Sequence, residues 1–303
     1  MNNFPEELGA ISNFFEIGSV EKVSRLGGIA NDNFSVCTSK GRFVIKFVKE
    51  HSAENLKTVD PLFRALENHG FPATYYLRDP SGEFVFDNGN LVAVAMRNEA
   101  GVIPDVNEET LFVMGKTLAL LHLVPIKPQE PRNTWFHPDF LPQGLTNMMS
   151  KADSENVDRF QIAWNQIEGF ENATLRKSIT HGDYHPGNVL FQDNELSTVL
   201  DWEEASFGYS IVDIAYTVFI ICFKDSKFDV GLYSSFIHGY QSERRLLPDE
   251  WKSLSAFVRL VGLTVATWIA LRYGANSSEP KIADLATRYW TAELTKWEPL
   301  VFD

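Results

Sequence analysis

Between Val20 and Val48 apolar and polar residues alternate with a period of two, in VEKVSRL, NFSVCTS and GRFVIKF, and the separating segments GGIAND and SKG are turn residues. Successive strand side chains point to opposite faces, so this pattern predicts three antiparallel strands in a meander. Over residues 52–69 the period changes. Leu56, Val59, Leu62, Phe63 and Leu66 share one helical face, and Gly70, Phe71 and Pro72 form a stop signal. Two further strands are expected in GEFVF, residues 82–86, and LVAVAM, residues 91–96, joined by the DNGN turn.

After Met96 the chain changes character. Glu108 to Leu123 is strongly apolar with helical spacing, and most of the remainder to Phe302 reads as helix with long apolar stripes. The expected fold class is α+β in two lobes: residues 1–98, an antiparallel sheet with one helix, and residues 99–303, mostly helical. SITHGDYHPGNVLF and LSTVLDWEEAS interrupt the helical half as two short strands bearing polar loops, a usual place for chemistry.

Composition narrows the partners. With 27 basic and 40 acidic residues the net charge is −13, which opposes the counterion release that drives nucleic-acid binding. Cys37 and Cys222 lie far apart without a CxxC spacing and read as buried free thiols. The start, MNNFPEELGA, lacks a basic region and an apolar core, and the longest uncharged apolar run, residues 260–271, is too short to span a bilayer. A cytoplasmic protein with no membrane partner is expected.

The chemistry is carried by His181, Asp183 and Asn188 in the order H.D....N, followed thirteen residues later by Asp201. Phosphoryl transfer to a hydroxyl needs a carboxylate to take the proton and oxygen ligands for magnesium bridging a triphosphate. Asp183 suits the base, with Asn188 and Asp201 as the Mg2+ ligands. Lys46, in FVIKF, is a lysine in an apolar strand and needs an anionic partner; it suits the α and β phosphates of ATP. Its carboxylate is either Glu54 or Asp60 on the following helix. The turn with Gly27 and Gly28 lets backbone amides approach the phosphates, and backbone groups from Met96 to Asn98 suit adenine.

Other residues keep two readings. His181 packs and hydrogen-bonds to hold its loop. His185 either braces that loop or touches phosphate or substrate. Asp213 either accepts backbone amides of the catalytic loop as a brace or caps its helix. Glu203 and Glu204 add charge at the metal, bind a substrate ammonium, or form a solvated acidic turn. His137, Asp139 and PDFLPQG belong to an irregular insertion that suits a substrate lid. A zinc hydrolase built on the HGDYH run would leave Asn188 and Asp201 unexplained. A pseudokinase with a regulatory role would not need Lys46, Asp183, Asn188 and Asp201 all intact.

ITHGDYHPGNVLF, LDWEEAS and VDIAY resemble the aminoglycoside phosphotransferase and choline kinase superfamily across nearly the whole chain. GRFVIKF, MGKTLALLH and RRLLPDEW are similar to bacterial type II homoserine kinases. The resemblance implies a bilobal kinase-like fold, use of MgATP, and transfer of the γ-phosphate to a small-molecule hydroxyl, with homoserine or a related amino alcohol favoured over an aminoglycoside or choline. The absence of an activation segment and an APE-type motif after DWE argues against protein substrates.

Overall fold

Alternation over residues 20–48 resolves into β1 (Val20–Leu26), β2 (Asp32–Thr38) and β3 (Gly41–Val48), preceded by α1 (Glu7–Phe14). The structure is a computed structural model that describes residues 7–27, 30–130, 132–137, 140–150, 154–165, 174–224, 227–273 and 280–302. Leu8, Ile11 and Phe15 share one apolar cluster with Val23, Phe34, Val36, Phe43 and Ile45, so α1 closes the inner face of the meander. Each such side chain taken fully out of water contributes about 1.5–3 kcal/mol before entropy is counted.

The single helix expected over residues 52–69 is two, α2 (Ala53–Lys57) and α3 (Asp60–Asn68). Pro61 is the reason: it stands in the first turn of α3 and has no N–H to return to α2. Gly70, at φ 63°, ends α3. Its N–H donates to the Glu67 carbonyl at 3.1 Å and the Phe71 N–H to the Leu66 carbonyl at 3.0 Å, a C-terminal cap that needs a left-handed residue. Of the expected strand at residues 82–86 only β4 (Phe86–Asp87) pairs, against β5 (Val92–Arg97). Phe84 and Val85 are buried by side-chain packing without a ladder. The sheet order is β1-β2-β3-β5-β4, all antiparallel.

The helical part begins with α4 (Glu108–Leu123), opened by a reciprocal cap between Asn107 and Thr110. There follow α5 (Phe140–Ser150), α6 (Ser154–Asn165), β6 (Lys177–Thr180), β7 (Val189–Gln192), β8 (Glu195–Val199), β9 (Ser206–Tyr209), α7 (Ile211–Thr217), α8 (Val230–Glu243), α9 (Pro248–Tyr273) and α10 (Pro280–Arg288). Glycines let α4 and α8 approach closely: a Cβ on Gly115 would fall on the Phe236 carbonyl oxygen, and one on Gly239 on that of Phe112. The run at residues 260–271 leads to the expectation of no spanning segment, but α9 as a whole is long and apolar enough to cross a membrane by length and composition alone; 72% of its apolar window is buried, as in a core helix.

The chain divides into two compact units. One holds the residues up to Gly101 together with Thr198–Glu203, and the other holds Val102–Ser197 and the chain from Glu204 onward. A division at residue 98 alone would assign Thr198–Glu203 to the helical part. Its hydrogen bonds draw it into the sheet unit instead: the Val199 N–H donates to the Pro72 carbonyl at 2.7 Å, and the Val199 carbonyl accepts the Thr74 N–H at 2.9 Å. Trp202, fully buried, packs edge-on against Phe63 and Phe71.

Candidate active site

In the sheet unit the chemistry gathers on Lys46. It lies on β3 with its side chain 4% exposed, and its ammonium is ion-paired to Asp201 and, at 2.7 Å, to Glu203, itself 7% exposed. Burial alone would push the Lys46 pKa down, but the two carboxylates outweigh it and hold the group well above its ordinary value. A buried cation without them would cost several kcal/mol.

This pairing corrects three expectations. Neither Glu54 nor Asp60 meets Lys46. Glu54 is exposed on α2, and Asp60 is taken by Arg64 at 2.8 Å and by Arg78. Glu203 is committed to Lys46 rather than turned toward a substrate ammonium. The pairing was not legible because Lys46 and Asp201 stand 155 positions apart.

Asp201 has a left-handed backbone, φ 62°, uncommon outside glycine but tolerated by Asp. The hydrogen bonds of Val199 and the burial of Trp202 fix the chain on either side, and the Asp201 side chain keeps 40% exposure. Strain held by well-packed neighbours is a common feature of functional residues.

The expected nucleotide contacts fare unevenly. Gly27 accepts a hydrogen bond from Asn33 Nδ2 at 3.1 Å, while Gly28 lies outside the described residues. Met96 pairs with Val44, and the Asn98 N–H donates to the Arg42 carbonyl at 3.2 Å, so both direct backbone groups toward β3. Alternation along the strand turns the Arg97 backbone groups, in the same segment, away from β3.

In the helical unit Asp183 stands on the loop between β6 and β7. Tyr216 on α7 donates its hydroxyl to Oδ1, and Asn188 Nδ2 donates to Oδ2 at 2.8 Å and to the Asp183 carbonyl at 2.9 Å. An amide must turn its NH2 toward a carboxylate, which leaves the Asn188 carbonyl oxygen as its outward group. Burial, then the Asp183 charge, pushes the Tyr216 phenol far above its ordinary pKa, so it remains a donor. Tyr216 closes the VDIAY motif, but the sequence assigns it no role of its own; only packing brings it 33 positions back to Asp183.

The loop is held from beneath. Asp213, fully buried, accepts the His181 N–H at 2.7 Å and the Gly182 N–H at 2.8 Å. His181 Nδ1 accepts the Asp183 N–H at 3.1 Å, and His185 Nδ1 accepts the Gly187 N–H at 3.0 Å, so these ring nitrogens serve the loop rather than a zinc ion. His185 Nε2 lies 3.6 Å from Asp183 Oδ1. Gly182 is required at φ 81°, where a Cβ would sit 2.5 Å from the Glu204 carbonyl.

Behind Asp213 runs a buried chain. Arg244 donates to the Tyr240 hydroxyl, Tyr240 lies 2.9 Å from His122 Nδ1, and His122 Nε2 lies 3.1 Å from Asp213 Oδ2. An ionised Asp213 can only accept, so His122 carries its proton on Nε2 and takes the Tyr240 hydrogen at Nδ1. Burial is the main cause that keeps the His122 pKa below its ordinary value. His122 and Tyr240 are functional-site residues that sequence spacing did not single out; their hydrogen bond bridges 118 positions.

His137 is present in the segment before α5, whereas Asp139 and Pro138 lie outside the described residues. The PDFLPQG stretch is helical from Phe140.

Comparison with known proteins agrees with this arrangement. Residues 22–257 match the phosphotransferase enzyme family. Homoserine kinase of Methylobacillus glycogenes is 25% identical over 238 residues, covering 78% of this chain and 75% of that protein. Homoserine kinase of Gluconobacter oxydans is 25% identical over 287 residues, covering 87% and 88%. The structure of choline kinase LicA from Streptococcus pneumoniae superposes with a TM-score of 0.72 at 15% identity, covering 97% of this chain and all of that one, which fixes the fold as protein-kinase-like. On its match over most of its length, this chain belongs to the phosphotransferase enzyme family and is a small-molecule kinase that transfers phosphate from ATP to an alcohol.

Proposed function

We propose that the protein transfers the γ-phosphate of MgATP to the hydroxyl of homoserine or a closely related amino alcohol. The observation that carries this reading is Asp183: a carboxylate fixed by two neutral donors, Tyr216 and Asn188, on a loop suspended from Asp213. Such a group is pre-aimed to accept the proton of an acceptor hydroxyl. As the hydroxyl oxygen forms its bond to γ-phosphorus, the bond from phosphorus to the β-bridging oxygen breaks, ADP departs, and the proton passes to Asp183.

Lys46 and the Asp201 carboxylate suit the phosphates and the metal. Lys46 would hold phosphate oxygens in place of Asp201, whose carboxylate would then be available to Mg2+, while Glu203 keeps the lysine in place. Asn188 offers an oxygen of the hard type magnesium prefers. The metal supplies neutralisation of phosphate charge, and the Arg97 carbonyl suits the adenine amine.

The test is ADP release with MgATP against homoserine, related amino alcohols, choline, ethanolamine and aminoglycosides. Release that depends on homoserine or an amino alcohol and disappears in Asp183→Ala supports the reading. Release only with aminoglycosides or choline, or release indifferent to Asp183, sinks it.

A further inference from the structure

Within the helical unit a cavity of about 210 Å³ opens between β6, β9 and the segment before α5. Sites for drug-sized ligands run to roughly 300–1,000 Å³, so this one suits a molecule of amino-acid size. Its lining carries both signs of charge: Glu204 and Arg132, 6% and 5% exposed, and the more exposed Lys177. Phe136 and Phe207 add apolar surface.

The charges are anchored. Glu204 Oε2 accepts the Trp135 N–H at 3.1 Å, and Arg132 donates to the Ala205 carbonyl. Groups fixed before a ligand arrives lose little entropy on binding it. The cavity also adjoins the catalytic loop on two sides. The Glu204 backbone packs directly on Gly182, the residue before Asp183. The Phe136 ring meets Tyr216 edge-on at 6.1 Å, and Tyr216 donates to Asp183.

A cavity that shows an anion and cations to one small guest complements a zwitterion better than a polycationic sugar or a quaternary amine, which would leave its cations facing like charge. We infer that this cavity is the acceptor site and selects a hydroxyl-bearing α-amino acid, Glu204 receiving the ammonium and Arg132 with Lys177 receiving the carboxylate. The inference rests on the kinase reading and adds the residues that set its specificity.

The experiment compares three acceptors of similar length: L-homoserine, 3-amino-1-propanol, which lacks the carboxylate, and 4-hydroxybutyrate, which lacks the ammonium. Wild-type protein is expected to favour L-homoserine over each by roughly 10- to 100-fold in kcat/KM, the worth of a hydrogen bond to a charged group. Glu204→Gln should raise KM for the two amines by a similar factor and leave KM for 4-hydroxybutyrate in place. Lys177→Met, at a more exposed position that folding tolerates, should raise KM for L-homoserine and not for 3-amino-1-propanol.

Equal use of all three acceptors, or a Glu204→Gln defect of the same size on all three, overturns the assignment while the kinase reading stands. Should no acceptor release ADP, that reading fails, and calorimetric titration of L-homoserine into the protein without nucleotide decides the cavity alone. Heat of binding that is lost in Glu204→Gln supports the site, and its absence from the wild type removes it.

Discussion

Lys46 and Asp183, the residues on which the two units centre their chemistry, are held by different physics. Lys46 sits in a cage of opposite charge, one carboxylate buried and permanent in Glu203 and one half-exposed in Asp201. Asp183 is held by neutral donors, and its loop hangs from a second carboxylate through backbone amides. The charged cage can exchange a partner for phosphate, because Coulomb attraction has little directional demand. The neutral network cannot exchange partners cheaply, because each hydrogen bond is directional. On the proposed function, the first arrangement suits receiving a ligand and the second suits keeping a reactive group aimed.

The comparison breaks most sharply at Lys46. Lys46→Met leaves the Glu203 carboxylate buried without its cation and is expected to cost about 3–5 kcal/mol of stability, read as a lower denaturation midpoint. Adding Glu203→Met should restore most of that loss, since an apolar pair of similar volume is often neutral, while ATP binding stays impaired. On the other side, Asp183→Asn should cut turnover by roughly 10² or more with the thermal midpoint nearly unchanged. An equal loss of stability would show that Asp183 is structural.

Tyr216→Phe sharpens the same contrast at smaller scale. It removes one donor to a carboxylate, worth about 1.5–3 kcal/mol, and should appear in kcat rather than in KM for ATP. A Tyr216→Phe enzyme of wild-type kcat would mean that Asn188 alone aims Asp183.

The smallest effect is a pH dependence in the buried chain behind Asp213. The folded His122 binds a proton less readily than its ordinary pKa of 6.5. The unfolded chain therefore takes up the proton first as the solution is acidified. The stability His122 contributes is present above pH 6.5 and is lost as the pH falls from there toward the folded value. His122→Gln, which keeps a hydrogen-bonding side chain, should flatten that slope in denaturation midpoints measured on either side of pH 6.5; an unchanged slope would assign it to another group.

Much of this molecule is legible in its residues. The meander, the stop at Gly70 and α4 follow from side-chain periodicity and caps, which act over a few residues. The loop from His181 to Asn188 reads clearly because its groups must lie within one turn of chain to act together. Elsewhere local rules compete: the stripe from Leu56 to Leu66 favours one helix, and a single missing N–H at Pro61 makes it two. GEFVF has strand-forming residues, yet Phe84 and Val85 are buried by packing without a ladder.

The sequence by itself determined the alternation that makes a sheet, the helices that follow, and the order of Asp183, Asn188 and Asp201, because periodicity and loop chemistry are properties of neighbouring residues. Only the tertiary structure decided that Glu203 rather than Glu54 or Asp60 meets Lys46, that Tyr216 meets Asp183, and that His122 stands behind Asp213. Each of those choices joins residues far apart in the chain, and a buried charge takes whichever partner the packing of the fold brings within reach.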